Sequence, residues 1–171
     1  MVAVSICGCS EKPAQSSASE SSVTSDAGSV SESVSEASDS STATGTAAEI
    51  TAKIKQDVKF PGMAEIGADR MAGYYDVAAD KIDSYSAYIC GSGAYPDEIA
   101  VFKMKSADDV NAVKSVLEKR VESLSTTFKD YTPDEMYKID GNNVVTSGNY
   151  VALIICADNA KAIEDFKSMA K

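Results

Sequence analysis

The sequence predicts an α+β fold, with a mainly antiparallel sheet of about four strands and helices packed on one face. Three observations support this fold class. In two segments in the middle of the chain, the side-chain pattern repeats every two residues, which is typical of β-strands. A longer segment carries an apolar stripe with the 3.6-residue period of an amphipathic helix. A hairpin pattern follows that helix, which completes the order α-ββ-α-ββ-α.

A folded domain is predicted over residues 47–171, because the composition of the chain changes at Thr46. Thr46 and Glu49 have the T-x-x-E spacing of a capping box, in which a hydroxyl and a carboxylate each bind a free N–H at the start of a helix. Apolar side chains then recur at every fourth position up to Val58. This spacing predicts a first helix, which Pro61 and the glycine after it stop.

Two strands are predicted in succession after a poorly patterned stretch, Met63–Lys81, in which Asp69 is expected to cap a short helix. Ile82–Cys90 alternates in its side chains and is rich in aromatic and apolar residues. Glu98–Lys105 also places alternate side chains on opposite faces. The segment Gly91–Pro96 breaks the pattern between them. It predicts a strand-to-strand connection rather than a phosphate-binding loop, because such a loop leads into a helix.

The longest helix is predicted to open at Ser106, where the spacing again resembles a capping box. Its apolar stripe consists of Val110, Val113, Leu117, Val121, Leu124 and Phe128. Two further strands, Lys138–Thr146 and Tyr150–Ala157, are predicted to form a hairpin. The second of them is apolar on both faces, which indicates a central position in the sheet. A last helix is predicted to be capped by Asp158 or Asn159.

Composition and charge exclude several classes of function. The formal net charge is −10, and 44% of the residues are hydrophobic, which is enough for a packed core. No nucleic-acid partner is expected, because phosphate contacts need clustered Lys and Arg. The chain contains no histidine, which is the usual general base near neutral pH and the commonest metal ligand. We therefore predict no catalytic residue, no metal site and no cofactor, and we expect that the protein is not an enzyme.

The first nine residues indicate where the protein is located. They end in Ile6-Cys7-Gly8-Cys9, and polar residues follow at once. A short apolar run that closes on a small residue and a cysteine is typical of a bacterial lipobox, in which the cysteine after the cleavage site receives lipid. We expect residues 1–9 to be a truncated lipoprotein signal with Cys9 as the lipidated residue. Cys7 fits this role less well, because Ile6 is not a small residue.

Residues 10–46 are predicted to form a disordered linker. The segment is rich in serine and acidic residues, and it contains no Phe, Tyr, Leu, Ile or Met. So little apolar surface cannot offset the loss of about 1–2 kcal/mol of backbone entropy for each ordered residue. Together with the lipid, the linker predicts a protein anchored on the extracytoplasmic face of the cell membrane.

Three motifs of the domain resemble a family of small Gram-positive bacterial lipoproteins, the domain-of-unknown-function family numbered four-three-five-eight. The motifs are Ser92–Ala94 followed by Asp97–Lys103, Asp130–Tyr131 with Pro133, and Gly148–Ile154. The similarity covers roughly residues 54–171. Members of this family typically carry an N-terminal lipidation signal and a Ser-rich spacer, so the resemblance implies an exported and anchored domain. It implies no activity and no binding residue.

A possible recognition surface is predicted at Tyr95, Asp97, Glu98 and Tyr131. Tyrosine suits recognition because a rigid apolar ring carries a polar tip, although it equally suits the edge of a sheet. The two adjacent carboxylates are alternatively ordinary solvated charges. The expected function is a non-catalytic binding or interaction module with an unknown extracytoplasmic partner. The alternatives are a carboxylate-dependent cell-wall hydrolase and a purely structural envelope protein.

Cys90 and Cys156 each end a predicted strand. A disulfide is permitted outside the cell, and the alternative is two buried free thiols. The sequence does not decide between them, because pairing requires Cα atoms within about 7 Å.

Overall fold

The structure, a computed structural model, describes residues 45–171. The predicted signal segment with Cys9 and nearly all of the predicted linker lie outside these residues. The described part contains four α-helices and five β-strands. Their order is α1 (Ala47–Asp57), β1 (Met63–Glu65), α2 (Ala68–Tyr74), β2 (Ile82–Cys90), β3 (Glu98–Met104), α3 (Val110–Tyr131), β4 (Val144–Ser147), β5 (Tyr150–Ile155) and α4 (Asn159–Met169).

The five strands form one sheet in the order β1-β2-β3-β5-β4, in which every neighbouring pair is antiparallel. This confirms the predicted α+β class and the antiparallel sheet. The sheet has one strand more than the sequence predicted. The additional strand, β1, has only three residues and pairs with the end of β2. A segment of that length is too short to show an alternating pattern.

Helices cover both faces of the sheet, so the expectation that they pack on one face is wrong. The side chains of Ala100, Phe102 and Met104 in β3 pack into the core formed with α2 and α3. Ile99 and Val101 point the other way, into the core formed with α1 and α4. The physical reason is that the central strands β3 and β5 are apolar on both faces, and each face must be shielded from water.

Two of the predicted helix caps are found in the structure, and one is wrong. Asp69 does not cap α2, because this helix begins at Ala68 after Gly67 and Asp69 lies within it. The predicted capping box of α1 is confirmed, with Glu49 N–H donating to the hydroxyl of Thr46 at 3.2 Å and Thr46 N–H donating to the Glu49 carboxylate at 2.7 Å. Asp158 caps α4 by accepting from Lys161 N–H at 3.0 Å. Regular α3 begins four residues later than predicted, because a 3₁₀ turn follows Ser106.

The hairpin of β4 and β5 turns at Gly148, whose φ of 56° lies in the left-handed region that glycine adopts without strain. The first strand of this hairpin is much shorter than predicted. Pro133–Lys138 forms a 3₁₀ helix, and β4 starts only at Val144. This 3₁₀ helix carries Lys138 to the end of the sheet where β2 passes into β3, and it thereby forms one wall of the site described below.

Candidate functional site

Asp97 directly precedes β3 and Glu98 begins it, and the two side chains point to opposite faces of the sheet, as neighbouring residues of an extended chain do. Both are buried, with residue exposures of 2% and 1%. The interpretation of these two residues as ordinary solvated charges is therefore wrong. Each carboxylate is instead paired with a cation from a later element of the chain, which explains how it is kept in the interior.

Asp97 is paired with Lys138. The Nζ atom of Lys138 lies 2.7 Å from Asp97 Oδ2 and 2.6 Å from Glu135 Oε2. Burial lowers the pKa of Lys138, but hydrogen bonds from its ammonium to the two carboxylates outweigh this effect and hold the pKa above its ordinary value. The ammonium therefore stays charged at neutral pH and holds both carboxylates at one point.

The backbone of Lys138 is fixed as firmly as its side chain. Its carbonyl oxygen accepts from Asn143 Nδ2 at 2.8 Å and from Asn159 Nδ2 at 2.7 Å. Both asparagines are buried, and each makes a second bond to β5 or its end, at Ile154 and Cys156. The position of the lysine is thus set by hydrogen bonds to the sheet and to the start of α4.

A groove of about 330 Å³ lies above this ion triad. We call it the Lys138 groove, and it is lined by Lys59, Phe60, Pro61, Tyr95, Asp97, Glu135, Tyr137, Lys138 and Ala157. Tyr95 and Tyr137 are 42% and 62% exposed. Their ring centroids lie 5.5 and 5.9 Å from the Nζ atom of Lys138, within the range of cation–π attraction. The groove therefore joins exposed ring surface to a fixed set of charges.

Glu98 makes a separate cluster on the face covered by α3. It accepts from Arg120 Nε at 3.2 Å, from Arg120 Nη2 at 2.8 Å and from the hydroxyl of Tyr75 at 2.8 Å. Burial raises the pKa of Tyr75, and the charge of Glu98 raises it further. Burial lowers the pKa of Arg120, but its bonds to Glu98 outweigh this effect and raise it overall. The cluster connects α3 and the end of α2 to β3.

The structure divides the predicted recognition residues. Tyr95 and Asp97 line the Lys138 groove, whereas Glu98 and Tyr131 are not among its lining residues. Tyr131 is 67% exposed and contacts the edge of Phe128, with 6.3 Å between the ring centroids. Phe60, Glu135, Tyr137 and Lys138 also line the groove and are not among the residues predicted for a recognition surface. These four lie in a loop and a 3₁₀ helix, where no periodic pattern marks them.

Cys90 and Cys156 are free and buried in the structure, as the second of the two alternatives predicted. Ile89 in β2 and Ile155 in β5 both pair with Glu98, one on each side of β3. Cys90 follows Ile89 and Cys156 follows Ile155, so β3 lies between the two cysteines. Two strand spacings, roughly 10 Å, therefore separate the two Cα atoms. This is beyond the distance that a disulfide can bridge.

The two thiols differ in their surroundings. Burial raises the pKa of Cys90, but hydrogen bonds from Ser92 and from backbone N–H groups of the following loop outweigh it and lower the pKa overall. Burial raises the pKa of Cys156 to about 11. Cys90 is thus the more acidic thiol of the pair, because the loop that begins behind it supplies donors to its sulfur.

Within residues 45–171, no group of three or more His, Cys, Asp or Glu side chains is arranged to hold a metal ion. None of the helices in the same part of the chain is long and apolar enough to cross a bilayer.

Residues 56–156, more than half of the chain, match the model of a family described as a domain of unknown function, DUF4358. The chain belongs to the DUF4358 family. No curated protein and no solved structure shows significant similarity to this DUF4358 protein. The matched residues include every residue that lines the Lys138 groove except Ala157, so the groove lies almost entirely within the matched region.

Proposed function

We propose that this DUF4358 protein is a lipid-anchored lipoprotein on the extracytoplasmic face of the membrane, and that its domain is a non-catalytic binding module. The observation that supports the binding role is the Lys138 groove. It combines two exposed tyrosine rings with a triad of charges, of which Asp97 and Lys138 are buried. Ligand sites typically combine apolar surface with a small number of convergent polar groups.

The anchor is supported by the sequence around Cys9. A small residue, Gly8, precedes the cysteine, and a polar, Ser-rich segment follows it. A lipid on Cys9 would attach the protein to the membrane with about 0.8 kcal/mol for each buried CH₂ group. The segment between Cys9 and α1 would then separate the binding groove from the bilayer surface.

The hydrolase alternative requires two carboxylates at one cleft, and Asp97 and Glu135 both line the groove. A glycosidase leaves a space of about 5–5.5 Å or more between its carboxylates for the bond that is cleaved. Here the ammonium of Lys138 occupies that space and is bonded to both. This arrangement supports binding over hydrolysis. The groove also argues against a purely structural protein, which has no need of a concave site with exposed rings.

The anchor is tested by labelling growing cells with radioactive fatty acid. The wild-type protein should incorporate label, Cys9→Ala should not, and Cys7→Ala is the matched control because it removes a cysteine two residues away. Equal labelling of wild type and Cys9→Ala would refute the anchor at this residue.

The binding role is tested by placing the photo-crosslinking residue p-benzoylphenylalanine at Tyr137 in intact cells. The matched control carries it at Tyr131, which is about as exposed but does not line the groove. We expect a crosslinked product from position 137 that is absent from position 131. No product at 137, or the same products at both positions, would contradict a groove-directed binding function.

A further inference from the structure

We propose that the ligand of the Lys138 groove is a neutral oligosaccharide. This inference rests on the proposed binding function and specifies the chemical class of the ligand. It is carried by three properties of the groove, namely its balanced charge, the types of hydrogen-bonding group that it presents, and its exposed rings.

The charges that line the groove cancel. Lys59 and Lys138 contribute two positive charges, and Asp97 and Glu135 contribute two negative ones. An anionic ligand would meet both carboxylates as well as a net charge of −10 on the whole chain. A cationic ligand would meet Lys138, whose ammonium is already bonded at the centre of the groove. A neutral ligand is the one that avoids both repulsions.

The groove presents acceptors and a donor side by side. An ionised carboxylate only accepts hydrogen bonds, and an ammonium only donates them. Of the three N–H donors on Lys138, one makes the hydrogen bond to Asp97, whereas Glu135 is held as an ion pair at 2.6 Å and its side chain remains 24% exposed. A hydroxyl group both donates and accepts. Two neighbouring hydroxyls of a sugar can therefore bond to Glu135 and Lys138 together.

The rings supply the apolar part of the site. Tyr95 and Tyr137 keep large parts of their surfaces in solvent, although each lies close to Lys138. A pyranose ring has a flat face of C–H groups that packs on an aromatic ring while its hydroxyls point outwards. A ligand of this shape would cover the tyrosine rings and reach the charged groups at the same time.

A peptide fits the groove less well. Peptides that bind by strand addition need an exposed strand edge with free N–H and C=O groups. The walls of the groove are instead the loop Lys59–Pro61, the connection before β3 and the 3₁₀ helix Pro133–Lys138. Recognition must therefore rely on side chains, and these are the rings and charges that match a sugar.

The test is isothermal titration calorimetry of the full 171-residue chain with two neutral oligosaccharides, cellotetraose and chitotetraose. We expect at least one of them to bind with a Kd of about 1 mM or tighter. Tyr137→Ala and Tyr95→Ala should each weaken binding by about tenfold or more, since each removes a stacking surface. Tyr131→Ala is the matched control and should bind as the wild type does. All three tyrosines are exposed, so each variant is expected to fold.

Two results would overturn the inference. One is no binding of either oligosaccharide at concentrations of about 10 mM. The other is binding that the three tyrosine variants weaken equally. If the crosslinking from position 137 succeeds while the oligosaccharides fail to bind, the binding function stands and the ligand class is wrong. If both experiments fail, the groove is not a binding site.

Discussion

Replacing Arg120 with methionine is expected to destabilise the domain by about 3–5 kcal/mol, as is typical when one partner of a buried ion pair is removed. Arg120 supplies two of the three hydrogen bonds that Glu98 accepts, and Tyr75 supplies the third. The Glu98 side chain is 2% exposed, so that the substitution leaves a buried carboxylate with one donor and no counter-charge. Each hydrogen bond to a charged group contributes about 1.5–3 kcal/mol, and the loss of two gives a total of the same size.

Replacing the other partner of the pair, by Glu98→Gln, is expected to lower the free energy of unfolding by less, about 1–2 kcal/mol. The side chain of Arg120 is 23% exposed, and its guanidinium can therefore bind water when its partner becomes neutral. Glutamine has the shape of glutamate and still accepts from Tyr75. The double variant contains no buried unpaired carboxylate, so it should be more stable than Arg120→Met alone, with a coupling energy of about 2 kcal/mol.

Urea unfolding followed by circular dichroism measures these differences, provided that the four proteins share one m-value. Arg70→Met is the matched control, because Arg70 also lies over the ring of Tyr74 but makes its hydrogen bond to that tyrosine rather than to a carboxylate. It should change the free energy of unfolding by no more than about 0.5 kcal/mol. The reasoning from burial would be refuted if Arg120→Met and Glu98→Gln lowered the free energy of unfolding equally and their effects simply added in the double variant.

Three further predictions concern other buried groups. Iodoacetamide should alkylate Cys90 of the folded protein at lower pH than Cys156. Hydrogen bonds lower the pKa of Cys90, whereas burial raises the pKa of Cys156 to about 11. Mass spectrometry of the labelled peptides measures which cysteine reacts at the lower pH. Above neutral pH, the stabilisation from Lys138 should be constant up to its unfolded pKa of about 10.4. It should decline as the pH rises through its raised folded pKa, which the Tm difference between wild type and Lys138→Met measures. Thr51→Val should cost about 1–2 kcal/mol in urea unfolding, because it leaves the buried Ser86 hydroxyl without its partner at 2.7 Å, and adding Ser86→Ala should recover most of the loss.

The elements that the sequence predicted well depend on contacts between near neighbours in the chain. The capping box of Thr46 joins residues three apart, and the hairpin turn contains a glycine, Gly148, at a position with positive φ. The bounds of β2 were predicted to the residue, because its pattern is interrupted sharply at Gly91. The covering of both faces of the sheet depends on pairings between distant segments, and no local pattern reports it. The strand order, with β5 between β3 and β4, also depends on pairings between distant segments.

The candidate site was predicted only in part for the same reason. Tyr95 and Asp97 were found because they lie in a recognisable connection between two strands. Lys138 was assigned to a strand, and 41 residues separate it from its partner Asp97. The burial of Asp97 and Glu98 could not be inferred either, since two adjacent carboxylates before a strand are normally at the surface. Only their partners, Lys138 and Arg120, make the interior position possible.

The two carboxylates at the start of β3 tie the groove to the core of the domain. Glu98 fixes α3 on one face of the sheet, and Asp97 fixes Lys138 on the other, so that both interactions depend on the register of a single strand. The Lys138 ammonium is held by two carboxylates, and its carbonyl is held by Asn143 and Asn159. A ligand would therefore have to order only the exposed tyrosine rings, at about 0.5–1.5 kcal/mol for each immobilised side chain. Such preorganisation is expected of a site that binds, and it is why changes in the groove tyrosines should alter affinity while leaving stability nearly unchanged.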